Sequence, residues 1–364
     1  MTKKNLSERL AAGPVIGDGS MALTLEKRGY CTAGPWTPEA VVMYPEAVRQ
    51  LLREYVRAGA DVIQTPCFYS SDKKLKRGKV TYTAAEINDA ACKIAKEVAS
   101  EGDDVLICGG ISPVESFVDG KGRDVVRKEF ENQIEVFIKH DVDFLLAEYF
   151  GYIEELEICM DVVKKAGKMA ACSMRIGPRG DLSGVSVEDC AVRMAKTGAL
   201  MIGTNCQFDT NAQLKTLRRI KDALAKENLS PYLMCQPPGY LCPEVECTLT
   251  GQRHLPEAPI LLETRILTRF EAHQFARSAY ELGVRYIGGC CSTEPHHIRA
   301  FAQELAPEKK KSPPAEDMCP AFGALLVDSD IPVIRKRNTK EYWYSVKPGS
   351  GRPYNSPLVN VQAD

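Results

Sequence analysis

The feature that most constrains the fold is a rhythm. Short uninterrupted apolar runs alternate with stretches of helical periodicity from Pro14 to Leu305. The runs are Pro14-Val15-Ile16-Gly17, Asp61-Val62-Ile63-Gln64-Thr65, Val105-Leu106-Ile107-Cys108, Asp143-Phe144-Leu145-Leu146-Ala147, Met169-Ala170-Ala171-Cys172-Ser173-Met174, Ala199-Leu200-Met201-Ile202, Pro231-Tyr232-Leu233-Met234-Cys235, and 284–289. Helices are expected between and after them, over 46–57, 83–98, 124–139, 153–165, 186–198, 211–226, 269–282 and 295–305. In the first, Leu51, Leu52, Tyr55 and Val56 fall at helical spacing. Thr83 with Glu86 reads as a capping box, and Ser186 as an N-cap. Val126, Phe130, Ile134, Phe137 and Ile138 are expected inward on 124–139. Strands apolar on both faces belong to a buried parallel sheet rather than an antiparallel one with a wet face. Eight such units in one chain fit a (β/α)8 TIM barrel. An open doubly wound sheet is the other reading, but no GxGxxG follows any run.

The barrel makes a statement about chemistry, because active sites of this fold lie at the carboxyl ends of the strands. Asp18, Tyr69, Gly110 and Glu148 follow the first four runs. Cys206, in Gly203-Thr204-Asn205-Cys206, follows the sixth, and Cys290 with Cys291 follows the eighth. Cysteines distant in sequence can therefore meet at one rim. Cys206, Cys290 and Cys291 are read as three thiolate ligands of one zinc ion with a vacant fourth position, the arrangement of a catalytic rather than a structural site. The alternative is that they are small core residues, as free cysteines often are. The shared rim favours the metal. The alternative for Asp18 and Glu148 is strand-end carboxylates making local turns, a reading that suits Asp18, beside two glycines, better than Glu148. His296 and His297 follow Pro295 at a helix start and are read as structural or solvent-facing.

Composition excludes several classes. The formal net charge is −1, so nothing draws the chain to nucleic acid or an anionic membrane. Basic and aromatic residues are not interleaved on one face, and no apolar run reaches membrane-spanning length. The first residues lack the apolar core of a signal peptide. Fourteen scattered cysteines without a disulfide-framework spacing point to a reducing, cytoplasmic setting in which most are core fillers. The 237–267 stretch is long and irregular, which marks function or an interface. After Pro307 the composition shifts to a solvated linker, Glu308-Lys309-Lys310-Lys311-Ser312-Pro313-Pro314. Two units are expected, a barrel over 1–307 and a linker with tail over 308–364. The tail aromatics Tyr342, Trp343, Tyr344 and Tyr354 would be costly to leave in water. They either wrap the tail onto its own barrel or reach a second subunit; the second reading is preferred, giving a homodimer or homotetramer.

Several motifs also carry a resemblance. The chain resembles the zinc-dependent homocysteine methyltransferase family through Asn205-Cys206, Gly288-Gly289-Cys290-Cys291, Ile16-Gly17-Asp18-Gly19, Phe68-Tyr69 and Ala147-Glu148-Tyr149-Phe150. Gly34-Pro35-Trp36-Thr37-Pro38-Glu39 and Gly351-Arg352-Pro353-Tyr354-Asn355 are similar to its betaine-using branch. The similarity covers nearly the whole chain. It implies the same barrel, with zinc on Cys206, Cys290 and Cys291. It implies homocysteine contacts at Asp18, Gly19 and Glu148, donor contacts at Trp36 and Tyr69, and Tyr149 and Asn205 beside the metal. The implied reaction moves a methyl group from betaine to homocysteine, giving methionine and dimethylglycine. Ser20-Met21, Cys67, the 235–240 stretch and the end of the chain soon after Asn355 depart from the family pattern. A sulfonium donor such as dimethylsulfoniopropionate, dimethylacetothetin or S-methylmethionine therefore stays open. So does a reading of another class, a zinc-binding structural or sensor protein without catalysis. A metal-free barrel lyase or isomerase is disfavoured by the three rim cysteines.

Overall fold

A computed structural model of the chain describes residues 3–34, 36–102, 104–318, 321, 331–332 and 339–345. Eight strands run parallel: β1 (Val15–Ile16), β2 (Val62–Gln64), β3 (Leu106–Ile111), β4 (Phe144–Phe150), β5 (Ala170–Met174), β6 (Met201–Asn205), β7 (Tyr232–Gln236) and β8 (Val284–Ile287). Their order is β1-β8-β7-β6-β5-β4-β3-β2. Helices connect successive strands and cover the outside, as the alternating pattern requires. The architecture is a (β/α)8 barrel.

The continuous apolar runs have a direct structural cause. Side chains on a strand alternate between faces, and here both faces are dry. Val62, Leu106, Cys108, Phe144, Leu146, Met201, Met234 and Tyr286 fill the barrel interior, closed below by Leu6 and Leu10 of the helix Leu6–Ala12. Their neighbours Ile63, Ile107, Leu145, Cys172, Ile202 and Ile287 face outward into the helical shell. Leu51, Leu52 and Tyr55 of the helix Pro45–Ala58 meet that shell fully buried. Each such side chain contributes roughly 1.5–3 kcal/mol from removal of apolar surface from water. The capping box at Thr83 and Glu86 forms, and Ser186 caps its helix through the Asp189 amide.

The two ends of the sheet meet at β1 and β2 without a regular ladder. Two aspartates take part in closing the seam. Asp61 N–H donates to the Ile16 carbonyl at 2.7 Å, and Ile16 N–H donates to the Asp61 carboxylate at 2.8 Å. Gln64 N–H donates to the Asp18 carboxylate at 2.7 Å. A two-residue first strand leaves few backbone partners, so carboxylates accept what a longer strand would.

Some expectations need correction. Gly109 and Gly110 do not end the third strand; β3 runs through both to Ile111. A Cβ on Gly109 would lie 2.8 Å from the Phe137 ring, so the glycine there permits helix and sheet to approach. Ile138 is not inward but 37 % exposed, since the helix Arg123–Lys139 already presents Val126, Phe130, Ile134 and Phe137 to the core. The 237–267 stretch is built from three short 3-10 turns, Pro243–Val245, Gly251–His254 and Glu263–Arg265, that fold over the carboxyl rim. A short helix, Lys340–Ser345, forms within the tail. Tyr354 and the 351–355 motif lie outside the described residues.

Candidate metal centre and substrate cavity

Cys206, Cys290 and Cys291 do converge. Their sulfur atoms all lie within 4.8 Å of one another, with Cys206 Sγ 3.4 Å from Cys291 Sγ and Cys290 Sγ 4.0 Å from Cys291 Sγ. No disulfide joins them. Among the described residues this is the one group of three side chains placed to hold a metal ion. A set of three sulfurs without carboxylate or imidazole suits a thiophilic metal. Burial pushes the Cys206 thiol up, but hydrogen bonds from Cys290 and Cys291 outweigh it and hold Cys206 well below its usual value. Cys290 and Cys291, donating to Cys206, are raised in turn.

The backbone around these cysteines is held in conformations that ordinary residues rarely adopt. Cys206 and Gln207 have φ of 57° and 60°, and Tyr149, Tyr69 and Trp36 have 68°, 62° and 45°. Each left-handed non-glycine residue costs of order 1–3 kcal/mol, so surrounding bonds must fix it. They are present at Cys206. Its N–H donates to Gln236 O at 2.9 Å, Gln213 Nε2 donates to its carbonyl at 3.0 Å, and Gln252 N–H donates to Gln207 O at 2.7 Å. The opposite loop is fixed likewise, with Cys290 N–H donating to Pro237 O at 2.8 Å and Gly239 N–H to Cys291 O at 2.7 Å. Gly289 N–H donates to the Asp18 carbonyl at 2.8 Å, joining the cysteine loop to the end of β1. Side chains on Gly19 or Gly289 would strike Thr293, so these two glycines allow that close approach.

Beside the sulfurs lies a cavity of about 180 Å3 lined by Asp18, Gly19, Trp36, Tyr69, Glu148, Tyr149, Cys290 and Cys291, among others. Thus nearly every residue singled out in the sequence faces one space. Asp18 and Glu148 are buried on its floor. Burial pushes Asp18 up to about 8, a rise enlarged by the Glu148 charge and opposed by the Gln64 amide. Burial also lifts Glu148 to about 7, against the hydrogen bond that Gln64 Nε2 donates to it. Two buried carboxylates with raised pKa values and few donors present a site for a cation.

The walls are aromatic. The Phe68 and Tyr69 rings lie 4.1 Å apart, and Tyr149 stands edge-on to both at 5.4 and 6.3 Å. Trp36 is half-buried against Tyr240, Leu255 and Leu262, and its buried Nε1 has no hydrogen-bond partner among the described residues. Asn205 does not line the cavity. Its Oδ1 accepts the Tyr149 N–H at 2.9 Å and the Ser173 hydroxyl at 3.1 Å, so it positions Tyr149 from behind. Gly110 also stays within β3, and Gln64 fills the space over it. His297 is structural: it accepts the Glu294 N–H at 3.0 Å and contacts Leu267 O at 2.6 Å.

Several lining residues were not visible in the sequence. Gln64, Gln207, Gln236, Tyr240 and Arg253 also face the cavity. Gln207 directly follows Cys206, and its Nε2 donates to the Tyr149 hydroxyl. Tyr240 accepts the Ser292 hydroxyl at 2.7 Å. For Gln236 and Tyr240 the signal was the departure of 235–240 from the family pattern, and for Arg253 it was the length of the segment that carries it.

A family model for homocysteine S-methyltransferase matches residues 15–305. The betaine–homocysteine S-methyltransferase 1 of Mus musculus is 49% identical over 366 residues, covering 99% of this chain and 89% of that protein. The S-methylmethionine–homocysteine S-methyltransferase of Pongo abelii is 44% identical, covering 97% of this chain and 95% of that protein. Among solved structures, the metallated homocysteine methyltransferase of Escherichia coli aligns with a TM-score of 0.62 at 18% identity, covering 79% of this chain and 95% of that one. At that identity it supports the barrel and nothing finer.

Proposed function

The chain belongs to the homocysteine S-methyltransferase family, and from that premise we propose that it transfers a methyl group from betaine to homocysteine, giving methionine and dimethylglycine. The observation that carries this reading is the convergence of three cysteine sulfurs beside an aromatic, carboxylate-bearing cavity that Cys290 and Cys291 line. Cys206, Cys290 and Cys291 would hold Zn2+. Zinc on three thiolates with an open position would lower the pKa of a substrate thiol from near 8.5, so that it is ionised at neutral pH.

The rest falls to the chain's own residues. Asp18 and Glu148 bind the ammonium of homocysteine by charge-assisted hydrogen bonds, and Gly19 keeps the floor open beside them. Trp36 and Tyr69 hold the trimethylammonium, which has no N–H to donate, through the faces of their rings. Gln207 and Asn205 fix Tyr149, which bounds the space between sulfur and donor. The sulfur lone pair forms the S–CH3 bond as the C–N bond breaks, and that electron pair stays on nitrogen as the neutral amine of dimethylglycine. Opposite charges disappear in the step, so a cavity that excludes water favours it.

The S-methylmethionine-using relative at 44% identity keeps a sulfonium donor as a second reading. Purified protein with homocysteine and each donor in turn, followed by methionine formation, separates the two. No methionine from any donor, with metal bound, would leave the inactive zinc-protein reading. We also propose that 308–364, whose first residues are tied to the barrel by the Glu308–Arg277 and Lys309–Asp61 ion pairs, serves association of subunits. Light scattering on the full chain and on a chain cut after Lys311 tests this; a monomer in both would exclude it. No helix of the described residues is long and apolar enough to cross a membrane.

A further inference from the structure

The aromatic wall of the cavity carries a charge pattern that the reaction, as read so far, does not use. Three cations gather over two tyrosine rings. Lys74 Nζ lies 4.4 Å from the Tyr69 ring centre. The guanidiniums of Arg175 and Arg253 lie 5.1 and 5.5 Å from the Tyr149 ring centre. None of the three is in a salt bridge with a carboxylate among the described residues. The acids nearby are engaged elsewhere: Glu115 pairs with Arg77, and the Glu155 carboxylate accepts the Val114 N–H.

Like charges brought together without a carboxylate to pair with repel; Arg253 lines the cavity, and Lys74 and Arg175 stand against the same two rings. A donor that was merely a cation would be opposed by all of them. A donor that also carries an anion would be attracted, provided its anion meets the arginines while its onium meets the rings. We propose that Arg253, with Arg175 and Lys74 beside it, forms an anion-recognition site at the aromatic wall of the cavity that binds the carboxylate of a zwitterionic methyl donor. This rests on the methyl-transfer reading and adds to it the residues that hold the carboxylate end of the donor.

The placement of Arg253 supports a recognition role. It sits on the 3-10 turn Gly251–His254, and that turn is fastened to the metal corner by the Gln252 N–H to Gln207 O bond at 2.7 Å. The backbone of the turn therefore keeps a fixed relation to Cys206, and the Arg253 side chain is exposed and lines the cavity. A planar guanidinium matches a carboxylate through two parallel N–H donors, which a lone ammonium cannot do. The homocysteine carboxylate is the other anion available, but the carboxylates that suit its ammonium, Asp18 and Glu148, lie on the floor rather than at this wall.

The test compares metal-loaded wild type with Arg253→Gln and Arg175→Gln, using glycine betaine, dimethylsulfoniopropionate and trimethylsulfonium as donors. Trimethylsulfonium has the onium but no carboxylate. The expected result is a KM for both zwitterions raised about ten- to hundredfold in Arg253→Gln, the range for a hydrogen bond to a charged group. The KM for trimethylsulfonium falls or stays unchanged, and that for homocysteine stays unchanged. A second measurement does not require turnover: calorimetric binding of 3,3-dimethylbutyrate, the carbon isostere of betaine, in the presence of homocysteine. It should bind wild type and lose its affinity in Arg253→Gln. Equal KM changes for zwitterions and trimethylsulfonium would overturn the proposal, as would a rise confined to homocysteine. If wild type turns over no donor, the methyl-transfer reading fails, and the isostere still reports whether the arginines bind a carboxylate.

Discussion

Replacement of Asp18 by asparagine should make the protein more stable and less able to bind homocysteine. The Asp18 side chain is 2 % exposed, and its pKa is raised from 3.8 to about 8. In the unfolded chain it ionises near its ordinary value. Between those two values the folded state therefore binds a proton that the unfolded state has lost, so stability falls as pH rises. The stability is fully present below about pH 4 and is lost progressively up to about pH 8. From pH 3.8 to 7 the loss is on the order of 4 kcal/mol, at about 1.4 kcal/mol per unit. Asparagine does not titrate, and its Oδ1 can still accept the Gln64 N–H that closes the seam between β1 and β2. At pH 7 the buried group is mostly a neutral carboxyl, and exchanging it for an amide costs at most about 1 kcal/mol of that bond. The net gain for Asp18→Asn at pH 7 is then about 3 kcal/mol, or a Tm rise of about 6 °C for a domain of this size. Thermal scans of metal-loaded wild type and Asp18→Asn at pH 4, 5.5, 7 and 8 read it directly. The difference should be near zero or slightly unfavourable at pH 4 and widen with pH. A difference that does not change with pH would refute the reasoning, because it would mean Asp18 is ionised in the fold or serves the seam alone. Homocysteine affinity should fall in the same variant, which is the expected exchange of stability for function.

Cys206→Ser, Cys290→Ala and Cys291→Ala should each release the metal and abolish turnover; metal analysis of the purified variants checks it, and stoichiometric retention by any one removes that residue from the ligand set. Trp36→Ala and Tyr69→Ala should raise the donor KM about 2- to 30-fold, corresponding to about 0.5–2 kcal/mol per aromatic face, with homocysteine KM little changed. Saturation curves for both substrates decide this, and loss of homocysteine affinity instead would assign the rings to the amino-acid end. Because burial lifts Glu148 to about 7, its carboxylate form is depleted as pH falls from 8 to 6, and this group by itself should raise homocysteine KM about tenfold over that range, in addition to the contribution of Asp18, which titrates near 8. The same profile in Glu148→Gln should lose that component; an identical slope would show that another group titrates.

Much of the fold was legible because it rests on local and periodic signals. A parallel strand buried on both faces must be largely apolar, and β3 to β6 read that way before any contact is known, with polar residues only towards their carboxyl ends. The helices Ile153–Lys165 and Arg269–Leu282 begin and end where periodicity and caps place them. The site was legible to the same extent, since the fold puts every strand's carboxyl end on one rim and so brings Cys206 to Cys290 and Cys291.

What the sequence could not decide depends on which side chains meet across long separations. That Gly109 and Gly110 lie inside β3 follows from Phe137 and Gln64 occupying the space a Cβ would need. That Asp18 helps close the barrel follows from β1 being too short to pair with β2 along its length, a matter of register between strands 45 residues or so apart. The raised pKa values of Asp18 and Glu148 arise from burial and mutual proximity, neither of which composition records. Arg253 and Tyr240 belong to a segment without hydrophobic periodicity, and their places at the cavity are fixed by backbone hydrogen bonds to the metal-site loops. Periodicity specifies elements because it is a property of neighbouring residues; the cavity's charge and the donor it admits are properties of distant residues made neighbours, and tertiary structure alone creates those.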